Sequence, residues 1–158
     1  MQSSAAATHE FEALLERRER IIALHTPDPD GAIVEFRLIC RRSGRSIYYW
    51  SESQGMVSLK ASDISVPGCR RLAEALRYVV QSMHYGVYIF TDFERQMTTG
   101  AIDTLRDIAQ GPDPRTIILI GERVELAPRL AEFVYHRVRS EAEAGELRPR
   151  LRDGRWVV

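Results

Sequence analysis

Four short apolar runs recur along the chain: Ile21-Ile-Ala-Leu, Ile47-Tyr-Tyr-Trp, Val87-Tyr-Ile-Phe and Thr116-Ile-Ile-Leu-Ile. Runs of this length without polar alternation describe strands buried on both faces, and such strands belong to parallel sheets covered by helices. The stretches between them have helical patterning. From Ala32 to Arg42 apolar residues fall at 33, 34, 36, 38, 39 and 40, and Gly44 follows where a left-handed C-terminal cap is wanted. Leu72, Leu76, Val79, Val80 and Met83 form one helical stripe on a segment that opens at Pro67 and closes before Gly86. Thr98 or Thr99 caps a third segment, whose inner face carries Ile102, Leu105, Ile108 and Ala109 until Gly111 and Pro112 break it. Strand and helix in strict alternation, joined by right-handed crossovers, predict an α/β fold: a three-layer, doubly wound, mainly parallel sheet.

The remaining segments fit around this frame. Residues 1–8 read as a disordered leader and 9–158 as a single α/β domain, with Phe11, Leu14 and Leu15 on a short amphipathic helix ending near Arg18. Met56, Val57 and Leu59 suggest a small edge strand. A short helix is expected near Pro128, and a fifth strand around Tyr135 to Arg139. Asp153-Gly154 between two extended runs predicts a closing β-hairpin from Leu147 to Val158.

A chain of 158 residues with 44% hydrophobic and 28% charged residues has the usage of an ordinary packed domain. Its 22 basic and 22 acidic residues cancel, so no long-range field gathers nucleic acid or an anionic membrane surface. Neither is expected as a partner. Cys40 and Cys69 have no metal-ligand spacing and read as buried thiols. The first residues lack the charged start and apolar run of a signal peptide, and no run of about 18 apolar residues occurs. The expected location is the cytoplasm.

Chemistry in open α/β sheets collects at the carboxyl ends of the strands. After the first strand a nucleotide hydrolase carries a glycine-rich loop whose amides cradle phosphate and whose lysine reaches the outer phosphates. Here the loop reads His25-Thr26-Pro27-Asp28-Pro29-Asp30-Gly31. It has one glycine and no lysine, each proline removes an amide donor, and Asp28 and Asp30 repel phosphate. The two carboxylates read chiefly as turn and helix-start chemistry, with a divalent-cation site as the alternative. The third strand delivers Asp92, and Glu94 two residues later, to its end, as the magnesium-binding strand of a P-loop ATPase does; an acid capping the next turn is the plainer reading. Arg123 follows the fourth strand, at a phosphate-sensing position or simply in solvent. His25, of the four histidines, is the one placed for chemistry. No nucleophile motif and no zinc spacing is present, so no catalytic residue, metal or cofactor is assigned.

The order of segments resembles the N-terminal domain of the AAA ATPases of the hypothetical chloroplast reading frame family. The likeness runs through Phe11-Glu-Ala-Leu-Leu-Glu-Arg-Arg-Glu-Arg-Ile-Ile-Ala-Leu and Ile47-Tyr-Tyr-Trp-Ser with Gly55. It continues through Tyr88-Ile-Phe-Thr-Asp-Phe, Leu105-Arg-Asp-Ile-Ala, Thr116-Ile-Ile-Leu-Ile-Gly and Leu126-Ala-Pro-Arg-Leu. In that family the corresponding domain is similar to a degenerate nucleotide-binding fold that precedes the true ATPase module. The resemblance implies a non-catalytic protein-binding or regulatory domain that partners a AAA-type ATPase. Its interaction surface is expected at a sheet edge, at the aromatic strand Tyr48, Tyr49 and Trp50, or at Trp156 in the closing hairpin. The alternative is a nucleotide-binding or weakly hydrolytic domain using Asp92 and Glu94. A homodimer is also open.

Overall fold

In the order of the chain, the first half comprises α1 (Gln2–Leu15), β1 (Ile21–His25), α2 (Pro29–Ser43), β2 (Ile47–Ser51), β3 (Gly55–Ser58) and α3 (Leu72–Gln81). The second comprises β4 (Val87–Phe90), α4 (Thr99–Gln110), β5 (Thr116–Gly121), β6 (Val134–Val138), α5 (Glu141–Gly145), β7 (Arg150–Arg152) and β8 (Arg155–Val157). The computed structural model describes residues 2–61, 64–83, 86–145, 150–152 and 155–157, with residues 2–5 and those beyond 145 described as backbone. Six strands form one sheet in the order β3-β2-β4-β5-β1-β6. All its neighbours pair in parallel except β3, which returns antiparallel to β2.

The apolar runs feed two cores by simple alternation. Ile21, Ala23, Tyr88, Phe90, Ile117 and Leu119 point to one face and pack with Leu72, Ala75, Leu76 and Val79 of α3 and Ala101, Leu105 and Ile108 of α4. Ile22, Leu24, Ile89, Ile118 and Ile120 point to the other face, against Phe11, Leu14 and Leu15 of α1 and Ala32, Phe36, Ile39 and Cys40 of α2. The result is the expected three-layer α/β sandwich with a mainly parallel sheet, consistent with a P-loop-like core. Helix boundaries follow local chemistry. Gly44 takes the left-handed conformation at φ 71° and its amide reaches the Cys40 carbonyl, while the Thr98 hydroxyl accepts from Ala101 N at the start of α4. Cys40 and Cys69 are both free and buried.

Several expectations are corrected. Helix α1 begins at Gln2, ahead of the amphipathic segment expected around Phe11. Alanine at 5, 6 and 7 favours helix, and Ala7 and Thr8 are buried, with the Thr8 hydroxyl donating to the buried carboxylate of Glu35 on α2. The helix expected from Pro67 begins at Leu72. Gly68 takes a left-handed conformation directly after the proline, the Cys69 carbonyl accepts from the Trp50 indole, and Glu74 accepts from Arg71 N at the true helix start. The segment at Pro128–Phe133 is a 3₁₀ helix. The aromatic strand is β2, which lies inside the sheet and not at its edge, and of its three aromatics Tyr48 and Tyr49 are half-buried. Trp50 is fully buried, Tyr48 stacks on Tyr88 with ring centroids 5.5 Å apart, and the Tyr49 hydroxyl meets that of Thr91 at 3.0 Å. Strands β7 and β8 pair antiparallel as a separate two-stranded sheet, with Trp156 opposite Leu151; the Asp153-Gly154 turn and the Trp156 side chain lie outside the described residues.

The docking of α1 is open to test. Thr8→Val takes the donor from the buried Glu35 carboxylate while preserving shape, and is expected to destabilise the fold by about 1–3 kcal/mol. Urea unfolding measures this; an unchanged midpoint would mean that the first turns of α1 contribute nothing.

Candidate functional site

The carboxyl edge of the sheet gathers the ends of β1, β2, β4 and β5, and the residues singled out from the sequence divide there into three groups. Asp28 and Asp30 belong to the start of α2. Asp28 is its N-cap, with Oδ1 accepting from Gly31 N at 3.2 Å; the Asp28 amide is held by the Thr26 hydroxyl at 3.1 Å, and Ala32 N turns back to the Asp28 carbonyl. Pro29 occupies the first helical turn and carries no amide. A helix N-terminus binds an anion through free amides. In this loop a side-chain carboxylate already takes that role, and Asp30 stands exposed in the first turn.

Asp92 and Glu94 do come together. Together with Glu52, Ser53 and Arg95 they line a cleft of about 380 Å³. Asp92 is the one described non-glycine residue with positive φ, at 54°. The cause lies on either side of it. The Thr91 amide still extends the β4 ladder to the Trp50 carbonyl, while Phe93 must return at once to the core, where it is 1% exposed. A residue in the left-handed region makes that reversal, and aspartate tolerates it better than most side chains. Glu94 reaches toward β5, its Oε1 lying 3.5 Å from where a Cβ on Gly121 would stand. Glu52 accepts from Gln96 Nε2 at 3.1 Å and pairs with Arg95, and these bonds hold its carboxyl below the usual carboxylate range. The cleft therefore carries three carboxylates against the single guanidinium of Arg95.

His25 forms the third group, with a partner that the sequence did not reveal. Its Nε2 lies 2.9 Å from Nδ1 of His136 on β6, and Val124 N donates to its Nδ1 at 3.0 Å. An amide hydrogen always donates, so Nδ1 of His25 is the bare nitrogen and Nε2 carries the proton that His136 accepts. Burial, followed by the neighbouring His136 and Arg123, pushes His25 below its ordinary value. Arg123 is otherwise in solvent, 3.8 Å from Glu125 with both side chains at least 80% exposed. Parallel pairing explains why His136 was missed. Residue 25 stands opposite 138, and 136 shares its face two residues earlier, a relation fixed by register alone. Glu52 and Arg95 were likewise invisible, because they meet only once β2 and β4 are neighbours. Among the described residues no group of three or more His, Cys, Asp or Glu side chains is arranged to hold a metal ion, and no helix is long and apolar enough to cross a membrane.

A mainly parallel sheet covered on both faces places this chain in the α/β class, consistent with a P-loop-like core. The profile of the SpoVK-like AAA ATPase N-terminal domain matches residues 7–136, and the chain belongs to that family. The AAA ATPase N-terminal domain implied by the resemblance is thus found. No curated protein sequence matches the chain.

The histidine pair yields a signed pH dependence. His25 is harder to protonate folded than unfolded, so the unfolded chain binds the proton first as pH falls. The stability tied to this group is complete above about pH 6.5 and declines below it, levelling off once the lower folded value is passed. Urea unfolding between roughly pH 5 and 7.5 is expected to show a shallower slope for His25→Asn than for the parent. Nitrogen NMR of the imidazoles tests the tautomer directly, and a proton on Nδ1 of His25 would refute the arrangement.

Proposed function

We propose that this chain is a non-catalytic module that recruits or regulates a AAA-type ATPase, and that it holds no nucleotide itself. The observation that carries this reading is the loop after β1. The Asp28 carboxylate occupies the helix start where a triphosphate would need free amides, and the two prolines supply none. Membership of a family defined as an N-terminal domain of AAA ATPases supports the partner class. The order of segments shared with the hypothetical chloroplast reading frame ATPases supports the degenerate character of the fold. On this reading the protein works in the cytoplasm.

The partner's contact is assigned to the outer edge of β6. Its described pairing is with β1 on one side; the Val138 carbonyl accepts from the Arg137 guanidinium, the other outward backbone groups are left for an added strand, and the Val138 residue that ends β6 is 64% exposed. The opposite edge is less available: β3 is covered by the segment at 64–66, through Ser58 N to the Ile64 carbonyl and Val66 N to the Met56 carbonyl.

The competing reading places a magnesium nucleotide at Asp92 and Glu94, and the strained backbone of Asp92 is what favours it. Thermal unfolding with ATP and magnesium separates the two. The module is expected to gain nothing, whereas a bound nucleotide at a hundred times its dissociation constant adds about 2.7 kcal/mol. The partner is tested by affinity capture followed by mass spectrometry. The parent chain is expected to retain an ATPase that the Val138→Glu variant loses. Capture without any ATPase, or stabilisation by the nucleotide, would reject the proposal.

A further inference from the structure

The amino edge of the sheet, opposite the loops discussed so far, holds the larger cleft of the two, about 660 Å³. It forms where the turns entering β1, β2, β4 and β5 converge, and these four strands are contiguous in the sheet. Arg17, Arg18 and Arg20 come from the first turn, Arg45 and Ser46 from the second, Gly86 from the third, and Pro114 and Thr116 from the fourth. Gly86 permits the turns to close up: a Cβ there would stand 2.6 Å from the Ser46 carbonyl oxygen.

Four guanidiniums surround this cleft, and they differ in how firmly they are held. Arg17 holds Glu19 through two bonds, at 2.8 and 3.1 Å, and its guanidinium stacks 3.5 Å from the centre of the Tyr135 ring; Arg45 pairs with Glu16, and all four of these charged side chains are at least a quarter exposed. The exposed pair of Arg45 is readily exchanged for a better acceptor, whereas Arg17 is already oriented by its two bonds to one carboxylate. Arg20 donates to the Asp113 carbonyl, a neutral acceptor that leaves its charge uncompensated. Arg18 is exposed and makes no hydrogen bond or ion pair among the described residues, with the Glu19 carboxylate acting on it only at longer range. Four positive charges against two carboxylates leave a surplus of two. The carboxyl edge has the opposite balance, three carboxylates to one guanidinium in its cleft. An anion is therefore drawn to the amino edge and turned away from the other.

We propose that this arginine-lined cleft is a binding site for a phosphate monoester, whose two negative charges match the surplus and whose oxygens match the forked donors of arginine. Guanidinium groups bind phosphate through paired, charge-assisted hydrogen bonds, which lysine does not reproduce. The volume lies within the range of roughly 300–1,000 Å³ usual for small-ligand sites. The monoester can be carried by a free metabolite or by a phosphorylated side chain, and the chemistry recognised is the same. This inference does not rest on the AAA partner, since it concerns the isolated chain.

The test is an NMR titration of the full chain with inorganic phosphate, followed through the arginine Nε–Hε signals, against sodium chloride at equal ionic strength. Saturable shifts at Arg17, Arg18, Arg20 and Arg45 with phosphate, absent with chloride, are expected. Arg18→Ala and Arg45→Gln are each expected to weaken binding about tenfold, the loss of one charge-assisted contact, while Arg123→Ala at the far edge leaves it unchanged. Both substituted side chains lie at the surface, and unchanged backbone spectra would establish that the variants fold. Glycerol 3-phosphate and a phosphoserine peptide then distinguish the source: whichever exceeds inorganic phosphate in affinity identifies the carrier. Shifts that do not saturate, that chloride reproduces, or that survive both arginine substitutions would overturn the proposal.

Discussion

The structure depends on burying both faces of a parallel sheet at once. Ile21 to Leu24, Tyr88 to Phe90 and Ile117 to Ile120 are all within 1% of complete burial, so each central strand delivers alternate side chains to two separate cores. At roughly 25 cal/mol per Å² of apolar surface, this burial is the dominant favourable contribution. It also has a spatial consequence. With both faces sealed by helices, polar chemistry has room only along the two edges where strands meet turns, and at the outer borders of β3 and β6.

At the carboxyl edge, the same constraint decides what each polar residue does. Phe93 must reach the α3 and α4 core two residues after Thr91 makes the last ladder bond, and Asp92 between them takes up the reversal in its backbone. Its exposed carboxylate then faces Glu52 and Glu94 as a result of packing. Asp28 shows the converse, a side chain committed to a backbone need, since α2 must start immediately below β1 and its free amides need an acceptor. One acid is thus consumed by the fold and the others are left facing solvent. That difference separates a helix cap from carboxylates left with unused acceptor capacity.

How much could be read from the sequence follows from the range of the interactions involved. The four buried strands, the Gly44 and Thr98 caps and the parallel α/β class were legible because each rests on residues within a few positions of one another. The start of α3 was misplaced because Pro67 is a local signal, while the feature that delays the helix includes a bond from Trp50, which is distant in sequence. For the same reason Tyr48, Tyr49 and Trp50 looked like a surface. Three aromatics on one strand carry no mark of whether the strand lies at an edge; the order β3-β2-β4 makes the strand internal, and Trp50 alone of the three is fully buried. The pairing of His25 with His136 and the closeness of Glu52 to Arg95 are facts of register across crossovers, with no shadow in spacing along the chain.

Charge makes the same point at the scale of the whole molecule. A formal net charge of zero correctly argues against a long-range field, yet it says nothing of how the charges are distributed. Here the turns that enter the strands carry arginines and the loops that leave them carry carboxylates, so the total cancels while the edges do not. Screening reduces such a dipolar arrangement to insignificance beyond about 8 Å at physiological ionic strength, but a ligand seated in either cleft lies well inside that distance. The two clefts of one neutral sheet therefore carry local charge of opposite sign.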